Sequence, residues 1–151
     1  MNKSISSQLL MLFLFIQILS ALPAGWSFIS DPSGGIIGIS TDLLDDSPFA
    51  DYLIPGLLLF IVLGLFPIII LYGLIKKRPF KLAEKINLYP NQHWSWTLAF
   101  YFGIVLVVWI NVQLFFLKEF FIFQFIYSML GVMLIILAHV PSTMKDYASV
   151  D

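Results

Sequence analysis

The chain alternates long apolar runs with short polar segments, and the lengths of the runs decide what they form. The clearest run, Leu53 to Ile75, holds twenty-three residues without a charge. At about 1.5 Å per helical residue it extends about 34 Å, enough to cross a hydrocarbon core of about 30 Å with some tilt. Trp96 to Leu117 adds twenty-two uncharged residues, and Phe120 to Val140 is interrupted only by His139. Between these two lies the pair Lys118-Glu119. A single helix over residues 95–140 would be about 69 Å long, more than twice the hydrocarbon thickness, so the chain is expected to reverse at that pair.

The first run, Leu9 to Ile29, has two readings. Lys3 followed by Leu9 to Leu19 fits a secretory signal peptide, with small residues in Ser20-Ala21-Leu22-Pro23-Ala24. Pro23 beside the candidate cleavage point disfavours processing, and Trp26, Phe28 and Ile29 carry the run to spanning length. A retained helix is the expectation, and removal of residues 1–24 the alternative. The pattern therefore predicts an all-α fold: an integral membrane four-helix bundle with spans at about 8–29, 52–75, 95–117 and 120–140. Residues 1–151 form one domain. Composition agrees, since 60% of the residues are apolar and 11% charged, against about 25% charged in an ordinary soluble domain. Mean hydropathy is +0.94, far above that of a water-facing chain.

Charge sets the expected orientation. The loop at 30–51 has no Lys or Arg and five acids, Asp31, Asp42, Asp45, Asp46 and Asp51. The loop at 76–94 carries Lys76, Lys77, Arg78, Lys81 and Lys85 against Glu84. Basic segments resist translocation, so the second loop is expected in the cytoplasm and the acidic loop outside the cell membrane. Four spans then put both termini in the cytoplasm, where Lys3 and Lys145 fit; Lys118 alone falls on the other side.

Local chemistry is readable in the acidic loop. Asp31-Pro32-Ser33-Gly34-Gly35 predicts a tight turn. Ile36, Ile37, Ile39, Leu43 and Leu44 form an apolar stretch too short to span, expected to lie along the membrane surface or to cap the bundle. Ser47-Pro48 reads as a helix start, with Ser47 as N-cap and Pro48 at the first helical position. Pro55-Gly56 and Pro67 are expected to kink or locally loosen the second span, and a neighbouring helix can satisfy the freed carbonyls.

Each span also carries a small or polar stripe. Gln17, Ala21 and Gly25 share a face of the first, and Gly56 and Gly64 a face of the second. Ala99 and Gly103 pair in the third, while Gln124, Ser128 and Gly131 continue through Ile135 to His139 in the fourth. Such residues let helices approach, and buried amides bond between them. The candidate intramembrane polar contacts are Gln17, Asn111, Gln113, Gln124 and Ser128. Asn111 and Gln124 fall at similar depth, roughly 8–10 Å from the turn, so Asn111 or Gln113 is expected to face Gln124 across the hairpin.

Candidate chemistry is thin. His93 and His139 end adjacent antiparallel spans, where two imidazoles can ligate haem or a metal. Trp94 and Trp96 beside one, and Pro141 after the other, favour histidines that cap helices at headgroup level. The loop aspartates lack the spacing and central glycine of an EF-hand loop. The basic loop can attract anionic lipid, although setting topology suffices to explain it. There is no Cys, hence no thiol redox relay or thiolate metal site. No Asp, Glu, Lys or Arg lies within a span, which argues against an ion-coupled pump. Nucleotide, metalloprotease and hydrolase fingerprints are absent. No catalytic residue, metal or cofactor is expected, nor a nucleic-acid partner; the expected surroundings are the lipid bilayer, with a second copy or a membrane subunit as possible partner. The fifteen Phe, six Tyr and four Trp read as lipid-facing bulk and interfacial belt.

Several short patterns carry a resemblance. Asp31-Pro32-Ser33-Gly34, Ser47-Pro48-Phe49 with Asp51-Tyr52 and Pro55-Gly56, His93-Trp94-Ser95-Trp96-Thr97, and Pro141-Ser142 with Lys145 and Tyr147 resemble small four-helix bacterial membrane proteins of unassigned function. The likeness covers roughly residues 20–147. In architecture alone the chain is also similar to the DoxX-like four-span group. The resemblance implies a four-helix membrane protein and no activity, ligand or site residue.

Two functional readings follow. In the first, a non-enzymatic assembly or accessory protein uses its small-residue faces as contacts. In the second, a binder or conduit takes a lipid or small apolar molecule at the kinked second span and the polar face of the fourth. A membrane enzyme ranks behind both, for want of an acid, base or nucleophile at membrane depth. A lined cavity above a few hundred Å³ between spans two and four favours the second reading, and a filled core with an exposed small-residue face the first.

Overall fold

The computed structural model describes residues 3–117 and 119–149. Four long apolar helices dominate it: Ile5–Ser30, Leu53–Lys76, Trp94–Leu117 and Ile122–His139. Short helices at Thr41–Leu44, Lys81–Glu84 and Pro141–Asp146 sit between or after them. Among the described residues these four are long and apolar enough to cross a membrane. Their outer faces present Leu12, Leu19, Ile61, Ile68, Ile104 and Val108. Soluble monomers rarely expose apolar patches beyond a few hundred Å². A belt of such side chains on every helix suits hydrocarbon.

Alternating helices send the connections to opposite ends. One end carries the acidic loop and the turn between the third and fourth helices. The other carries the basic loop and both terminal segments. Asp146 holds the start of the first helix there, accepting from Ser4 N at 2.7 Å, Ser4 Oγ at 2.6 Å and Ser7 Oγ at 2.7 Å. These serine bonds lower the Asp146 carboxyl below its ordinary range, the Ser4 hydroxyl most. Tyr147 is fully buried, donates to Leu74 O at 3.0 Å, and has the Lys3 and Lys77 ammonium groups 5.6 and 5.0 Å from its ring centre. A bridge between Gln92 and Ala148, with His93 N donating to Tyr147 O at 2.8 Å, joins the C-terminal segment to the start of the third helix. The basic end is tied tightly.

The small residues predicted to mediate packing are spent inside the bundle. A Cβ placed on Gly25 would stand 2.6 Å from the Phe60 backbone nitrogen, and one on Gly56 2.6 Å from Phe28 Cβ. The first and second helices therefore touch nearly backbone to backbone. Gly103 and Gly131 do the same for the third and fourth, each facing the other's carbonyl at 3.0 Å from that hypothetical carbon. Ala21 and Ala99 are buried in the core.

The second helix is irregular where its sequence says it must be. A π turn occupies Ile61–Leu65, closed by Phe66 N donating to Ile61 O. Pro67 follows and has no N–H for the Leu63 carbonyl four residues back. Gln17 on the first helix supplies one instead, its Nε2 donating to Leu63 O at 3.3 Å.

One local expectation is corrected. Ser47-Pro48 does not start a helix; the second helix begins at Leu53. Tyr52 N donates across the loop to Pro32 O at 2.9 Å, so it is unavailable for a helical bond to Pro48. Ser47 Oγ instead accepts from Phe49 N at 3.2 Å as a local turn. Asp51 Oδ1 takes Leu53 N at 2.9 Å, and Pro55 fits the first turn, where its missing N–H costs nothing.

Candidate functional site

The two pairs of helices separate towards the acidic end. Phe66–Lys76 packs closely on the third helix, but Leu53–Phe60, beyond the π turn, has no comparable contact with it. The space between them is a cavity of about 520 Å³. Its floor is formed by Gln17, Leu63 and Leu106, and its walls include Ala21, Ala24, Leu59, Trp109 and Ile110. Gln113 and Phe116 from the third helix, and Gln124 and Tyr127 from the fourth, line it nearer the turn.

The acidic loop forms the roof. Ile37, Ile39, Leu43 and Leu44 all face the cavity, so the short apolar stretch caps the bundle. A turn fixes its entry: Asp31 Oδ1 accepts from Ser33 N at 3.1 Å and Ser33 Oγ at 2.6 Å, while Oδ2 takes Ile36 N at 3.0 Å. These bonds, that of the Ser33 hydroxyl first, hold the exposed Asp31 carboxyl below its ordinary value. Gly34 adopts φ +81°, a conformation L side chains rarely take. Tyr52 pins the far side, stacked on Phe28 at 4.8 Å and donating to Ser40 O at 2.8 Å.

Polar groups in the cavity are few and neutral. None of the described residues that line it is Asp, Glu, Lys, Arg or His. Gln124 is 5% exposed, and its Oε1 accepts from Phe121 N at 3.0 Å, closing the first turn of the fourth helix. Its Nε2 has no protein partner among the described residues, nor have the Gln113 amide and the Tyr127 hydroxyl. On the floor, Gln17 Oε1 is buried without a donor.

Of the five predicted polar contacts, Gln17, Gln113 and Gln124 thus share one cavity. Gln113 and Gln124 line it from facing helices without a hydrogen bond between them. Asn111 is exposed and returns its Nδ2 to Val107 O of its own helix at 2.8 Å. Ser128 is half-buried and outside the cavity wall. The sequence reading missed Tyr127, although it falls three residues after Gln124 and hence on the same face. The capping use of Gln124 also went unread; a glutamine three residues after the N-cap is its signal. Lys118, at the predicted reversal, lies outside the described residues, but Leu117 ends one helix and Ile122 opens the next.

The two histidines take local partners. His93 Nδ1 is 2.7 Å from Ser95 Oγ, and burial, opposed by nearby Glu84, lowers its pKa. His139 Nδ1 donates to Ile135 O at 2.9 Å, with its ring edge-on to Phe100. Among the described residues no three His, Asp or Glu gather as metal ligands.

Fold and site together define a class: a four-helix, membrane-type bundle with a neutral, largely apolar cavity roofed by a loop. Comparison with protein-family models, curated proteins and solved structures returns no match for this chain.

Proposed function

We propose that this is a multi-pass protein of the cell membrane that binds a lipid-like or small apolar molecule in its roofed cavity. The cavity carries the reading. Its 520 Å³ falls within the roughly 300–1,000 Å³ of small-molecule sites. Its lining is mostly apolar, which suits an apolar occupant, and the few unpartnered polar groups at its floor and near the turn are where a polar head or water is held. The absence of carboxylate, amine or imidazole among the described lining residues supports holding a molecule over converting one. Assembly through small-residue faces has less support, because Gly25, Gly56, Gly103 and Gly131 are occupied by neighbours within the chain.

The charge distribution supports an orientation with the basic loop and both termini in the cytoplasm and the loop roof outside. The chain has no cysteine, so single introduced thiols report sidedness cleanly. In intact cells an impermeant maleimide should label Ser40→Cys and spare Arg78→Cys; the reverse pattern inverts the orientation.

Occupancy is tested by native mass spectrometry after gentle detergent extraction. The unaltered protein should carry a stoichiometric apolar adduct. Ala24→Phe, which fills the cavity from its wall, should lose most of it while keeping its helical circular dichroism. A bare polypeptide mass in both proteins contradicts the reading.

A further inference from the structure

Between Gln17 at the floor and the polar groups near the turn, the third-helix wall of the cavity is apolar, carried by Leu106, Trp109 and Ile110. Leu106 lies seven residues before Gln113 on the same helix, about 10 Å deeper. Near the turn, Gln113, Gln124 and Tyr127 line the same cavity, and the Gln113 amide, the Gln124 Nε2 and the Tyr127 hydroxyl have no protein partners among the described residues. Gln124 is more than nine-tenths buried, and its unpartnered Nε2 keeps the small accessible surface through which a bound group can reach it. All three groups can donate, and their natural complement is an oxygen acceptor. No cation among the described lining residues offsets the dehydration of an anion.

Resting on the binding reading above, we infer that the ligand is an uncharged amphiphile with a hydroxyl or carbonyl head. Gln113, Gln124 and Tyr127 hold that head beneath the loop roof, and an acyl or prenyl chain runs down past Ile110 and Leu106. The polar rim selects the head, and the apolar walls accept either chain. Charged phospholipids and free fatty acid anions are disfavoured by the cost of dehydrating their heads against lining residues that, among those described, offer hydrogen bonds and no counter-charge.

Trp109 lines the cavity and reports occupancy. Purified protein is titrated at pH 9 with nitroxide-labelled stearyl alcohol, with the matching stearate, and with a prenylated benzoquinone, itself a quencher. Trp109→Phe identifies the cavity's share of the fluorescence. Saturable quenching by the alcohol or the quinone is expected, the stronger of the two telling an acyl from a prenyl source. Stearate should bind about tenfold more weakly or worse, the equivalent of losing one or two hydrogen bonds. The double variant Gln113→Leu/Tyr127→Phe breaks no protein hydrogen bond and should weaken the neutral probes about tenfold. Equal binding of stearate, or an unaffected double variant, overturns the headgroup assignment and leaves the cavity reading standing. Quenching that Ala24→Phe fails to weaken for any probe removes the cavity reading itself.

Discussion

Gln17 and Pro67 show how two residues on different helices answer one another. Proline withholds an N–H from the Leu63 carbonyl, and the glutamine amide delivers one at 3.3 Å. A carbonyl left bare in hydrocarbon is penalised, but such interhelical bonds average only about 0.6 kcal/mol, with a maximum near 1.7. Gln17→Leu should therefore destabilise the bundle by about 1 kcal/mol in an unfolding titration in mixed micelles. Pro67→Ala restores an in-helix donor, so Gln17→Leu should cost measurably less in that background. Equal costs in both backgrounds would mean that the two residues are uncoupled. Each was legible in the sequence, one as a buried amide and the other as a kink. Their pairing was not, because it depends on the register of two helices. Asn111 marks the opposite limit. Its amide satisfies itself on Val107 O of its own helix, needs no partner, and so turns outward despite its depth.

At the scale of elements, the four helices were legible because spanning length and charge exclusion leave few alternatives. The second span, expected at about 52–75, matches Leu53–Lys76, but the helix start read at Ser47-Pro48 was wrong, since the decisive bond, Tyr52 N to Pro32 O, comes from twenty residues away in sequence. The roof was half legible: five aliphatic residues in an acidic loop fitted either a cap on the bundle or a segment along the membrane surface, and four of them line the cavity while Ile36 stays exposed. The C-terminal latch was not legible at all, as Asp146 is an unremarkable acid until Ser4 and Ser7 meet it. Its carboxyl is lowered from the ordinary value of 3.8, chiefly by the Ser4 hydroxyl. A lowered carboxyl stabilises the folded state fully above that ordinary value, and the contribution vanishes as the pH falls through the lowered one. Acidification below about pH 4 should therefore loosen the basic end first, read as faster amide exchange at residues 4–7. Asp146→Asn should show that exchange already at neutral pH. Unchanged exchange in the variant would remove the latch from the account.

Over the whole molecule, the bundle is tight at one end and open at the other. Serines, lysines and Tyr147 gather the helices at the basic end, while the π turn marks where the second helix parts from the third. Neither hydropathy nor small-residue spacing reveals that divergence, because both describe each helix alone. The cavity is a property of four helices together, and its polar rim becomes visible only when Gln113, Gln124 and Tyr127 face the same space. The central claim is that this space holds a chain-like apolar molecule. An electron-density map of protein extracted and crystallised without added lipid tests it most directly. The account predicts continuous elongated density between Leu106 and Gln124, beneath Leu44. Discrete water peaks there, or side chains collapsed to close the gap, would contradict it.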